Sequence, residues 1–89
     1  MAEIKLEITN KVGLHARPAA LLVQTANKFK SVITAINGDI SVNAKSILNV
    51  LTLGAGRGSS LTIKAEGEDA DQAIQAFKEL HANNFGEKE

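Results

Sequence analysis

The chain has 89 residues, with ten basic and ten acidic side chains that cancel to a formal net charge of zero at pH 7. It has no cysteine, tryptophan or tyrosine and only three phenylalanines, which excludes disulfides, thiolate metal sites and thiol catalysis and requires an aliphatic core. One domain over residues 1–89 is expected, burying roughly 60–65% of its unfolded surface; no apolar run approaches membrane-spanning length and Met1-Ala2-Glu3-Ile4-Lys5 lacks signal-peptide features, so a cytoplasmic protein is expected.

Residues 2–9 alternate apolar and polar, the period of a strand with one wet face. Pro18 fits the first turn of a helix, where its missing N–H would have no intrahelical partner. Ala19-Ala20-Leu21-Leu22-Val23-Gln24-Thr25-Ala26 continues that helix to about Lys28, with an apolar stripe at Ala19, Leu22, Val23 and Ala26. Val32 to Ile36 and Ile40 to Asn43 read as strands, and Asn37-Gly38 between them is a hairpin signal. Ser46 can cap a short helix over residues 47–53, with Gly54 suited to the left-handed position beyond it. Gly56-Arg57-Gly58-Ser59-Ser60 reads as a loop, and Leu61 to Ala65 alternate again as a strand.

Asp69-Ala70-Asp71-Gln72 resembles a capping box and opens a last helix buried along Ala70, Ala73, Ile74, Phe77 and Leu80. Residues 83–89 are polar and are expected to fray. The order is β-α-β-β-α-β-α, an α+β fold with a four-stranded antiparallel sheet, one face covered by helices and the other exposed. A ferredoxin-like arrangement shares most of this pattern, but the short helix near Ser46 disfavours it.

The chemistry gathers at the first helix. His15 directly precedes a helix start, where free backbone N–H groups point outward and the helix dipole is positive. Such a place binds anions, and Arg17 adds a fixed cation. A nitrogen nucleophile is thereby expected beside a site suited to a phosphoryl group, with Arg17 and the backbone amides of Ala16 and Arg17 as its holders. Residues 11–57 carry six basic side chains against Asp39 alone, whereas residues 58–89 carry three against seven acids. The basic segment contains both His15 and Ser46, and it suits a phosphate or an acidic partner. A nucleic-acid binder would be net basic with stacking aromatics.

Two stretches carry a family resemblance. Asn10-Lys11-Val12-Gly13-Leu14-His15-Ala16-Arg17-Pro18-Ala19-Ala20 resembles the phosphorylation-site signature of the HPr family, the small phosphocarriers of the bacterial sugar phosphotransferase system. Val42-Asn43-Ala44-Lys45-Ser46-Ile47-Leu48-Asn49-Val50-Leu51-Thr52-Leu53-Gly54 resembles that family's regulatory-serine segment. The likeness covers nearly the whole chain. It implies an open-faced β-sandwich with three helices, two long and one short, on one side of the sheet. It further implies a carrier with no turnover of its own, phosphorylated at the δ1 nitrogen of His15 by enzyme I, charged from phosphoenolpyruvate. The phosphoryl group would then pass to sugar-specific enzyme II A units, with no cofactor and no metal, on a monomer.

Ser46 reads physically as a helix cap worth about 1 kcal/mol; the resemblance adds phosphorylation by an HPr kinase/phosphorylase and a role in carbon catabolite regulation through a transcription factor. Ile47, Leu48, Val50, Leu51 and Leu53 are too many apolar residues for one buried face of a two-turn helix. Val50 and Leu53 are expected inward. Ile47, Leu48 and Leu51 would then form a partner surface with Ala20, Gln24 and Asn27.

Val12 departs from many family members, which carry a small polar residue there that helps cap the first helix. His81 reads as a helix-rim histidine, and no third ligand supports a metal site with His15. Gly56-Arg57-Gly58 lacks the spacing of a nucleotide loop. Two alternatives stay open: a regulatory binding module acting through phosphorylated Ser46 with a transcription factor, and a nitrogen-branch paralogue that signals instead of moving sugar.

Overall fold

Strict alternation in three strands decides the architecture. In the computed structural model, which describes residues 2–9 and 15–86, β1 (Ala2–Glu7), β2 (Val32–Asn37), β3 (Ile40–Asn43) and β4 (Ser60–Glu66) form one antiparallel sheet in the order β1-β4-β2-β3. Helices α1 (Ala16–Ala26), α2 (Ile47–Leu51) and α3 (Ala70–Ala82) complete the expected β-α-β-β-α-β-α order. Register aligns Ile4, Ile63, Ala35 and Val42 in one row, with Leu6 beside Leu61 and Ala65 beside Ile33. These rows face the helices, and Leu6, Ile33, Ala35, Leu61, Ile63 and Ala65 are buried. The opposite face carries the rows Glu3–Lys64–Thr34–Asn43 and Lys5–Thr62–Ile36–Ser41. A slip of one residue would exchange the two sets, so the pattern also fixes the register.

Above the sheet, Leu22, Ala26, Val50, Leu53, Ala73 and Phe77 close the core. α1 packs against α2 and α3, and α3 lies over β1 and β4. In α1 the buried residues are Pro18, Ala19, Leu22, Thr25 and Ala26. Thr25 is tolerated inside because its hydroxyl donates to the Leu21 carbonyl at 2.8 Å, the usual way a helix absorbs a buried threonine.

Four details differ from the sequence reading. α1 stops at Ala26, because the Asn27 side-chain amide donates to the Val23 carbonyl at 2.9 Å and closes the last turn. α2 is shorter than expected, with Thr52 as its C-cap and Leu53 already in the following turn. The tight turn of the hairpin is Gly38-Asp39, since Asn37 still pairs with Ile40 and the left-handed φ of +62° falls on Gly38. The end does not simply fray: a 3-10 turn over Asn84–Gly86 drives Phe85 into the core, where it is 1% exposed. Asn84 and Phe85 both adopt positive φ to do this, and His81 meets the Phe85 ring edge-on at 5.7 Å.

Asp69 is the other correction. It stands at the N-cap of α3, yet its side chain makes no capping bond. The carboxylate reaches across to the start of β2, accepting from the Lys30 backbone N–H at 2.8 Å, the Ser31 N–H at 3.0 Å and the Ser31 hydroxyl. Gly67 lets the two segments meet: its φ is +150°, and a Cβ there would lie 2.6 Å from Ser31 Oγ and 2.8 Å from Ser31 Cα. The Ser31 hydroxyl, followed by the Lys30 amide, holds the Asp69 carboxyl below its usual 3.8. A carboxyl whose folded pKa is lowered stabilises the fold above its unfolded pKa, and the effect disappears as pH falls through the folded value. Asp69→Asn is therefore expected to lower the melting temperature at neutral pH and to flatten its decline below about pH 4. Calorimetric scans across acid pH check this, and a variant with an acid decline as steep as the parent's would contradict it.

Candidate functional site

His15 occupies the N-cap of α1 with extended backbone angles, φ −99° and ψ −166°. Its carbonyl accepts the first helical bond from Ala19 at 2.9 Å, while its side chain makes no capping bond. The ring is half-buried, and Ala16 and Arg17 behind it are exposed. As the first two residues of the helix, Ala16 and Arg17 have N–H groups without an intrahelical acceptor, and Pro18 has no N–H to offer. This end therefore offers two amide donors and the positive end of an 11-residue helix, with no acidic residue in the first turn. Val12, where the chain departs from the family pattern, and Gly13 lie outside the described residues.

Ser46 caps α2 as expected, accepting from the Asn49 N–H at 3.3 Å. The short helix divides its apolar residues as anticipated. Val50 and Leu53 are buried, whereas Ile47, Leu48 and Leu51 are 37%, 74% and 41% exposed. Asn27, at the end of α1, links the two helices: its Nδ2 donates to the Lys45 carbonyl at 3.2 Å, and the Lys45 ammonium returns to the Phe29 carbonyl at 2.8 Å. Ala20, Gln24 and Asn27 recur at helical spacing and share one face of α1. Ala20 is half-buried and the other two are exposed.

Sequence reasoning did not find the brace between Asn27 and Lys45, nor two others. Asn37 Nδ2 donates to the Leu53 carbonyl at 2.9 Å, and His81 Nε2 lies 2.8 Å from the Glu7 carbonyl, which requires that nitrogen to be the protonated one. The helix-rim placement of His81 is as expected. No local signal points to either contact, because the partners are 16 and 74 residues apart. A hollow of about 450 Å³ lined by residues that include Lys30, Val32, Thr34, Ser41, Asn43 and Lys45 holds none of the expected site residues. Among the described residues no group of three or more His, Asp or Glu could hold a metal ion.

An open-faced sandwich with a histidine at a helix start and a capped short helix defines a small phosphocarrier domain. A family model described as the PTS HPr component phosphorylation site matches residues 2–83, and the chain belongs to the HPr family of the phosphotransferase system. The phosphocarrier protein HPr of Mycoplasma capricolum is 52% identical over 79 residues, 89% of each chain. A crystal structure of HPr-C-His from Thermoanaerobacter tengcongensis superposes with a TM-score of 0.93 at 48% identity, covering all of both chains. The Bacillus subtilis catabolite repression protein Crh, in a domain-swapped dimeric crystal structure, is 40% identical with a TM-score of 0.67, covering 97% of this chain and 94% of that one.

The burial split in α2 has a direct consequence for stability. Leu48→Ala is expected to change the unfolding free energy by less than about 0.5 kcal/mol, whereas Val50→Ala removes methyls from a closed core and should cost about 2 kcal/mol. Urea unfolding of the two variants measures the difference, and comparable losses would place Leu48 in the core.

Proposed function

We propose that His15 is the phosphoryl acceptor of this carrier, taking its load from enzyme I and passing it to sugar-specific enzyme II A units. The observation that carries the reading is the α1 start, where His15, two amides free of helical bonds and Arg17 coincide without an acid in the first turn. The neutral Nδ1 attacks phosphorus, forming a P–N bond as the donor's bond to phosphorus breaks; the second transfer reverses the step on the acceptor. The carried group holds a charge near −2, which Arg17 and the Ala16 and Arg17 amides partly neutralise. The chain is a covalent intermediate handled by other enzymes.

Incubation with phosphoenolpyruvate and enzyme I should place an acid-labile, base-stable phosphate on His15. His15→Ala should abolish it, and Arg17→Ala should slow transfer roughly a hundredfold. Undiminished labelling of His15→Ala would overturn the assignment.

Ser46 is the regulatory site on this reading, phosphorylated by an HPr kinase/phosphorylase. A negative charge at a helix start favours the helix, so the fold survives. The harm falls on Ile47, Leu48 and Leu51 and on their neighbours Ala20, Gln24 and Asn27, taken as the docking surface for enzyme I, enzyme II A and a catabolite-control transcription factor. A dianion there would be desolvated beside apolar groups or set against acidic partner residues. Ser46→Asp is expected to slow acceptance at His15 by about a thousandfold, equivalent to about 4 kcal/mol of binding, with little change in melting temperature. Phosphotransfer at parental speed would remove the regulatory role.

The likeness to Crh is compatible with a second reading, a regulatory module working through phosphorylated Ser46, against which the presence of His15 argues, and a nitrogen-branch signalling paralogue is compatible with the same site. Labelling of His15 followed by delivery to an enzyme II A separates the carrier from both. A cytoplasmic monomer completes the proposal. Among the described residues no helix is long and apolar enough to cross a membrane, and related chains have been solved as dimers. Light scattering reads the oligomeric state directly.

A further inference from the structure

We propose that Asn37, which belongs to neither phosphorylation site, is a positioning residue for the exposed face of α2; this rests on the docking role assigned to that face. α2 has five residues, far below the length at which a helix holds itself together in water. Its outward side chains are therefore where its ends put them. The start is held by the Ser46 cap and by Asn27 on the Lys45 carbonyl. At the other end, Leu53 turns its side chain into the core and its carbonyl accepts from Asn37 Nδ2 at 2.9 Å. Gly54 follows at φ +61° and turns the chain away.

Asn37 is the last residue of β2, half-buried and still paired with Ile40. Its amide thus ties the far end of α2 to the rigid hairpin of the sheet. The group faces a backbone carbonyl that would otherwise be one of the orphan acceptors beyond a helix end. A donor is required at this position. An aspartate of the same shape would set a carboxylate oxygen against the Leu53 oxygen, and the last turn of α2, with Leu51 and Leu48, would shift to relieve it.

The test uses the full chain in the enzyme I assay, run at a temperature where every variant is folded. Asn37→Asp and the smaller, neutral Asn37→Ala are expected to raise KM for enzyme I roughly fivefold, the effect of one lost hydrogen bond, and to leave kcat unchanged. Leu48 and Leu51 methyl resonances should move in both variants. In Asn37→Asp, acidification that protonates the carboxyl should return them towards the parental positions, which loss of packing alone would not do. Leu48→Ala separates this idea from the one beneath it. If Leu48→Ala raises KM while both Asn37 variants keep the parental KM and methyl spectrum, the positioning role is overturned. If Leu48→Ala itself leaves KM unchanged, the docking face is wrong and this inference falls with it.

Discussion

β4 is the strand on which the molecule is assembled. β1 and β2 are not paired with each other; each pairs with one edge of β4, which arrives more than twenty residues after β2 ends. Its inward residues Leu61, Ile63 and Ala65 are wholly buried, so the central strand contributes to every row of the core. The sheet cannot form from the first half of the chain alone, and its closure carries the entropy of long loops. Everything placed above the sheet, including the start of α1 beside His15 and the short α2 over Val50 and Leu53, is set by that closure. The helices lie on the side where Leu6, Ile33, Ala35, Leu61, Ile63 and Ala65 are buried; the other side is polar along β1 and β4, although β2 leaves Val32 and Ile36 on it.

The two candidate phosphorylation sites sit at helix starts of different character. α1 is long, and its exposed Arg17 stands beside free amides. The amides there are already oriented by the helix. α2 is short, its cap hydroxyl already accepts from Asn49, and the side chains that follow Ser46 are Ile47 and Leu48. The outward apolar residues cost the fold little, since Val50 and Leu53 supply the inward anchors. They also leave a surface that water covers poorly, which is the property a transient docking face needs.

Local features were legible and distant ones were not. Strand alternation, Pro18 in the first turn of α1, the Ser46 cap and the inward turn of Val50 each depend on neighbours within a turn or a pleat, and each was readable from the chain. The positions of His15 and Ser46 at helix starts were readable for the same reason, whereas the roles proposed for them came from the family resemblance. Phe85 was hidden because Asn83-Asn84 before it and Gly86 after it read as a polar tail, and only the tertiary structure draws it inward through two left-handed residues. Asp69 was misread because capping is the local use of an aspartate before a helix, and two backbone amides 38 and 39 residues away outcompeted it. Asn27, Asn37 and His81 made the same kind of choice. Their side-chain nitrogens satisfy carbonyls that secondary structure leaves over, and which carbonyl each finds is a property of the assembled fold.

That pattern bears on how one small domain can serve several partners without loosening. The exposed apolar residues and the half-buried histidine lie at the surface, while the asparagine and lysine side chains tie the adjoining segments to the body of the protein. A surface that adapted to each partner by refolding α2 would lose ordering entropy at every encounter. One held at both ends by hydrogen bonds to the body of the protein meets each partner already ordered. A carrier that must bind, react and release repeatedly needs weak contacts of constant geometry. A charge added beside such a surface alters affinity through electrostatics and desolvation alone. It does so without unfolding the helix, since a negative group at the start of α2 agrees with the helix dipole.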